Sequence, residues 1–204
     1  MSRSSLAAAA AAVSILVALP ACAPLIVGGA AISTAMVATD RRSAGAIVED
    51  QTIETRVRYE LDQKMRAEGA NISVTSYAGK VLLTGEVPTE ALKQRATQLA
   101  TAVQNVVGVT NELGVMPASS LGTRTNDTVI LSKVKAAFLD KGDISTNTIK
   151  VVVERGTVYL LGIVTQREAE AAALAASRVG GVVSVVKLFE IETPAEIRRR
   201  MGAA

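Results

Sequence analysis

Gly79-Lys80-Val81-Leu82-Leu83-Thr84-Gly85-Glu86-Val87 returns 77 residues later as Gly156-Thr157-Val158-Tyr159-Leu160-Leu161-Gly162-Ile163-Val164. At the same offset the two copies share Asp50/Asp127, Ile53/Ile130, Val57/Val134, Ile72/Ile149 and Val74/Val151. Nearly all the shared positions are apolar or glycine, the types that a core and a backbone dictate. A duplication of this period divides the 204 residues into two small units rather than one large domain.

Within the first unit, Asp50 precedes Ile53, Val57, Leu61 and Met65, whose four-residue spacing predicts a helix that stops at Gly69. Residues 71–77 alternate as a half-buried strand does, with Ile72 and Val74 on one side. Ala78-Gly79 predicts a tight turn into a second strand, 81–87, in which Gly85 marks a bulge or a close backbone approach. A second helix is expected from Pro88-Thr89-Glu90 to about Gln104, and a closing strand over 106–115. The second unit repeats the order as helix 127–141, strands 148–154 and 157–164, helix 165–179 and strand 182–191. The expected class is α+β: two tandem α-β-β-α-β units, each with two helices packed on one face of a small three-stranded sheet.

The divisions that follow are an exported leader at 1–21, an apolar tether at 22–46, unit one at 47–116, a polar linker at 117–126, unit two at 127–193 and a basic tail at 194–204. The leader begins Met-Ser-Arg and runs through the apolar stretch Leu6–Leu19, which has signal-peptide length. It ends in Leu19-Pro20-Ala21-Cys22, similar to a bacterial lipobox apart from Pro20. That resemblance implies that Cys22 carries acyl chains; the other readings are a chance Cys after an ordinary secretory signal and an uncleaved anchor. Each buried methylene of such a chain contributes about 0.8 kcal/mol, so several chains hold a protein to a membrane essentially permanently. By the same resemblance to bacterial lipoproteins, Ala23 rather than Asp after Cys22 implies the outer membrane, facing the periplasm. Residues 23–39 read equally well as a membrane-proximal tether or as a flexible linker of small residues.

Composition narrows the function classes. There is no His, so acid–base chemistry at neutral pH lacks its usual group, and the single Cys leaves no disulfide framework or cysteine metal cluster. No catalytic, metal or cofactor site is expected, nor a small-molecule substrate. Residues 47–115 carry 7 basic and 9 acidic side chains and residues 127–193 carry 8 of each, far from the basic field of a nucleic-acid binder.

The Gly-x-Val-x-Leu-x-Gly-x-Val signature, the helix after it and the closing Val-rich strand resemble BON domains. Two of them behind a lipobox are similar to the dual BON-domain outer-membrane lipoproteins, with Arg124-Thr125-Asn126-Asp127-Thr128 and Val164-Thr165-Gln166-Arg167-Glu168-Ala169 matching their second domain. The resemblance implies a non-enzymatic protein that binds anionic phospholipid, chiefly phosphatidylglycerol. It also implies support of outer-membrane integrity and enrichment at the division site. The lipid contact it implies is the first helix of the second domain, where family members can carry a Trp at the position of Val129.

The copies differ at that helix. The outer side of unit one's first helix carries Thr52, Glu54, Thr55, Arg58, Tyr59 and Asp62; unit two has Val129, Leu131, Ser132, Lys135, Ala136 and Leu139, with Lys133 beside them. Ile130, Val134, Ala137 and Phe138 face the core at about 100° per residue. An apolar outer face carrying lysines and no acid suits an anionic lipid surface. A helix apolar all round is also what a buried one looks like, so packing against unit one or recruitment of an envelope or peptidoglycan-associated partner are the competing readings.

Overall fold

The computed structural model describes residues 40–139 and 147–202. The expected leader, Cys22 and residues 23–39 lie outside the described residues.

In domain one, α1 (Ala44–Met65) and a 3₁₀ turn lead to β1 (Asn71–Tyr77), β2 (Lys80–Val87), α2 (Glu90–Thr101), β3 (Gly108–Asn111) and β4 (Gly114–Val115). Domain two repeats this as α3 (Leu121–Leu139), β5 (Ile149–Glu154), β6 (Thr157–Val164), α4 (Gln166–Ser177) and β7 (Ser184–Ile191), followed by α5 (Pro194–Gly202). In each sheet the duplicated nine-residue stretch supplies the central strand: β1 pairs with β2 antiparallel and β3 and β4 with β2 parallel, as β5 and β7 do with β6. The helices cover one face, enclosing Ile53, Val57, Leu83 and Leu113 in one core and Ile130, Val134, Phe138 and Leu160 in the other.

Three expectations need correction. The first helix begins at Ala44, capped by the Ser43 hydroxyl, which accepts from the Ala46 amide at 3.1 Å. Asp50 is therefore not at a helix start but inside the helix, 3% exposed. Its carboxylate accepts from the Ala78 and Gly79 amides at 2.8 and 2.9 Å and from the Ser76 hydroxyl at 2.6 Å. Asp127 accepts likewise from the Arg155 and Gly156 amides at 2.9 and 2.8 Å. The shared Asp thus clamps the hairpin turn, whose two central residues have positive φ in both copies and point their amides inward (Ala78 51°, Gly79 75°; Arg155 50°, Gly156 72°).

The third strand of domain one is not continuous over 106–115. It breaks between β3 and β4, where the Asn111 side chain bonds the Lys93 carbonyl, Thr97 and the Leu113 amide and lets Leu113 turn into the core. The stretch 117–126, expected as a linker, is helical from Leu121. Within the basic tail, α5 buries Ile197 and leaves its other residues exposed, and Arg200 pairs with Glu192 and Glu190.

The sheet faces not covered by helices pack on each other. Tyr77 and Leu82 of domain one meet Tyr159, Leu161 and Ile163 of domain two in a third apolar cluster. The result is four layers, helices–sheet–sheet–helices, and β2 and β6 are buried on both sides. Strands in that position read as continuous apolar runs, as Val158–Val164 does. The half-buried reading came from the flanking strands.

Polar contacts also cross this junction. Arg155, in the turn of domain two, donates to the Gly85 carbonyl at 2.7 Å and to Glu86 at 3.1 Å. Tyr77, the last residue of β1, reaches the Thr148 carbonyl and the Ile163 amide. Ile163 is the repeat counterpart of Glu86, so both central strands take a polar contact from the other domain at the same repeat position. Glu86 is 1% exposed and stays ionised: burial pushes its pKa up, but hydrogen bonds from Ser119, Asn71 and Arg155 bring it below the usual range.

Candidate functional site

The outermost layer of domain two contains α3, positioned by its own sequence. Ser120 caps it, its hydroxyl accepting from the Thr123 amide at 3.2 Å. Asp127 ties its second turn to the β5–β6 turn, and Ile130, Val134 and Phe138 seat it on the sheet, each no more than 1% exposed. This anchoring fixes which face is turned outward. That face is not covered by domain one, which meets domain two through its sheet instead.

Of the residues expected to contact lipid, Val129 (45%) and Leu139 (71%) are exposed, as are Ser132, Lys133, Lys135 and Ala136. They form one outward arc at about 100° per residue, flanked by Lys133 on one side and Lys135 on the other. Leu131 does not belong to it. It is half-buried, packs on the core of its own domain and lines a cleft with Asn71, Ser73 and Val153. Its repeat counterpart Glu54 also turns inward: it accepts from the Ser76 amide and from Lys150 at 2.8 and 2.7 Å. The Glu54/Leu131 difference between the copies thus concerns the edge of the domain junction.

The helix also brings residues to the site that were assigned to the linker. Leu121 is 80% exposed on the first turn, in line with Ser132 and Leu139 at helical spacing. Arg124 is exposed three residues later. The available signal was Ser120 followed three residues on by Thr123, a cap pattern obscured by Gly122.

Electrostatically the face is cationic. Asp127 is the one acid in residues 121–139, and it is buried against two amides. Arg124, Lys133 and Lys135 are exposed, and among the described residues none of them forms an ion pair. The hydroxyls of Thr125, Thr128 and Ser132 donate to the carbonyls of Leu121, Arg124 and Thr128, each at 3.0 Å. Their hydrogen-bond donors are therefore satisfied within the helix, which lowers the cost of taking this face out of water. The matching face of α1 keeps two cations, Arg56 and Arg58, but carries the exposed acid Asp62 and Tyr59 where α3 has Leu139 and Ala136.

Among the described residues, no group of three or more His, Cys, Asp or Glu side chains is placed to hold a metal ion. No described helix is long and apolar enough to cross a membrane.

Comparison with known proteins gives this arrangement a setting. The family model for the BON domain matches residues 49–117 and again 126–193. The chain is 40% identical over 174 residues to Outer membrane lipoprotein DolP of Haemophilus influenzae, covering 84% of this chain and 89% of that one. It is 35% identical over 151 residues to a 21 kDa hemolysin of Actinobacillus pleuropneumoniae, covering 74% and 78% respectively. Osmotically-inducible protein Y of Escherichia coli is 30% identical over 144 residues, covering 69% of this chain and 72% of that one.

Proposed function

Because the chain belongs to the BON-domain family, we propose that it is a non-enzymatic lipoprotein of the outer membrane, anchored at Cys22 and facing the periplasm. Its second domain docks on anionic phospholipid through α3 and so supports envelope integrity. The observation that carries the lipid contact is the outward arc of α3: Leu121, Val129 and Leu139 exposed between Arg124, Lys133 and Lys135, with the only acid of the helix buried. The name of the Haemophilus influenzae relative supports the location. Phosphatidylglycerol as headgroup and enrichment at the division site rest on the family resemblance alone.

The physics of the face suits a shallow interfacial seat. Apolar side chains enter the headgroup boundary while the cations stay at the level of the phosphates. Three basic residues near the surface contribute roughly 3 kcal/mol together, and the apolar side chains supply the rest. The direct test is co-sedimentation of residues 40–204 with vesicles. Binding is expected to phosphatidylglycerol-containing vesicles, to weaken steeply as salt rises, and to be absent with phosphatidylcholine alone. Equal binding to both compositions contradicts the proposal, and capture of one stoichiometric protein through α3 without lipid would establish the adaptor reading in its place.

A further inference from the structure

The first described residues form a compact ion-pair system across the domain junction. The Arg41 guanidinium makes two bonds to the Glu168 carboxylate, at 2.6 and 2.9 Å, and a third to the Ile163 carbonyl at 2.8 Å. All of these partners belong to domain two. Arg42 turns the other way, binding Asp40 at 2.7 and 3.1 Å and Asp50 at 2.8 Å, the acid that clamps the hairpin turn of domain one. Its guanidinium also lies over the Tyr77 ring, 4.0 Å from the centroid. Tyr77 is the side chain of domain one that reaches the Thr148 carbonyl and the Ile163 amide of domain two. Two consecutive arginines therefore hold the two domains, one each, over the aromatic peg that joins them.

These are well-sheltered contacts. Arg41 and Glu168 have side chains 12% and 19% exposed, Arg42 and Asp50 11% and 4%. The Arg41 guanidinium, with hydrogen bonds from Thr165, holds the Glu168 carboxyl down to about 2, so the pair stays charged throughout the neutral range. Glu168 is also the returning acid of the α4 capping box, accepting from the Thr165 amide at 2.7 Å. Bidentate Arg–carboxylate geometry of this kind is directional as well as strong.

The position matters because of what precedes it. Residues 1–39, with Cys22, join the body at this point. Arg41 holds the C-terminal end of β6 and the first turn of α4. α3 starts beside the opposite end of β6, where Asp127 holds Gly156, and runs toward the end at which Ile149 pairs with Gly162. The strap and Leu139 therefore lie toward the same end of domain two.

We infer that Asp40–Arg42 is a strap that locks the two domains together, Arg41 on domain two and Arg42 on domain one, closed over the Tyr77 ring.

Amide hydrogen exchange on the full chain in phosphatidylcholine vesicles tests the strap. Replacing both Arg41 and Arg42 by Ala is expected to speed exchange over residues 77–82 and 159–163 by about tenfold or more. The α1 amides of Ile53–Leu61 should be unchanged. Glu168→Gln, which keeps an acceptor for the α4 cap, should give a smaller rise confined to 159–163, and it tests the strap even where the double variant disturbs α1. Unchanged exchange at the junction in both variants overturns the strap.

Discussion

Val129→Glu combined with Leu139→Glu is expected to abolish binding to phosphatidylglycerol vesicles while leaving the fold unchanged. Each substitution removes an apolar side chain from the headgroup boundary, a loss of about 1.5–3 kcal/mol on full burial, and adds a charge repelled by the surface. The combined effect is on the order of 5 kcal/mol, more than a thousandfold in affinity. Both positions are exposed in the structure, so the stability change should stay within about 0.5 kcal/mol. Leu131→Glu is the informative contrast: Leu131 packs partly on the core of its own domain, so that variant should show its effect in the thermal melt. Vesicle titration and thermal unfolding of the same samples distinguish the two outcomes. Retained binding by the Val129/Leu139 variant would remove α3 from the account.

Gly85→Ala is expected to destabilise the chain by about 4 kcal/mol, and Gly162→Ala by roughly half as much. Both glycines are the close-approach position of the duplicated strand, opposite Ile72 and Ile149. A β-carbon on Gly85 would lie 2.1 Å from the Asn71 carbonyl oxygen, and the residue has φ of 110°, which side chains rarely adopt. At Gly162 the corresponding approach is 2.6 Å, to the Thr148 carbonyl oxygen, without the positive φ. Gly85 also offers its carbonyl to Arg155, so its displacement loosens the domain junction as well. Urea unfolding of the two single variants checks the order; equal or reversed losses would mean that the backbone yields where the structure shows it held.

The duplication made the fold legible because the shared positions are those that a core and a backbone require. Ile53, Val57, Leu61 and Met65, and Ile130, Val134 and Phe138 after them, are buried as their spacing predicts. What the spacing did not reveal was the role of the shared aspartates. An Asp ahead of an apolar stripe has the local signature of a cap, and only tertiary structure shows Asp50 and Asp127 binding turn amides 28 and 29 residues away. The sheet-to-sheet junction had a trace in the unbroken apolar run of Val158–Val164, but its partner in domain one is interrupted by Thr84 and Glu86, and Glu86 is buried only because Arg155, Asn71 and Ser119 converge on it.

The outward face of α3, the candidate site, was partly legible for the same reason. Comparing the repeats isolated Val129, Ser132, Lys133, Lys135, Ala136 and Leu139, all of which the structure leaves exposed. Helical spacing alone misassigned Leu131, since a residue on the flank of a helix faces solvent or a neighbouring strand according to what packs beside it. It also left out Leu121 and Arg124, because Gly122 and the polar residues around it look like a linker until Ser120 is seen capping the helix. The Asp40–Arg42 strap lay beyond sequence reasoning, since its partner Glu168 is 127 residues away.

The measurement closest to the central claim is residue-by-residue relaxation enhancement from spin-labelled phosphatidylglycerol micelles on residues 40–204. Domain one supplies an internal control of the same fold. The account predicts strong broadening at Leu121, Arg124, Val129, Ser132, Ala136 and Leu139, and none along the matching face of α1 at Thr55, Tyr59 and Asp62. Broadening centred on α1, or spread evenly over both domains, would contradict it.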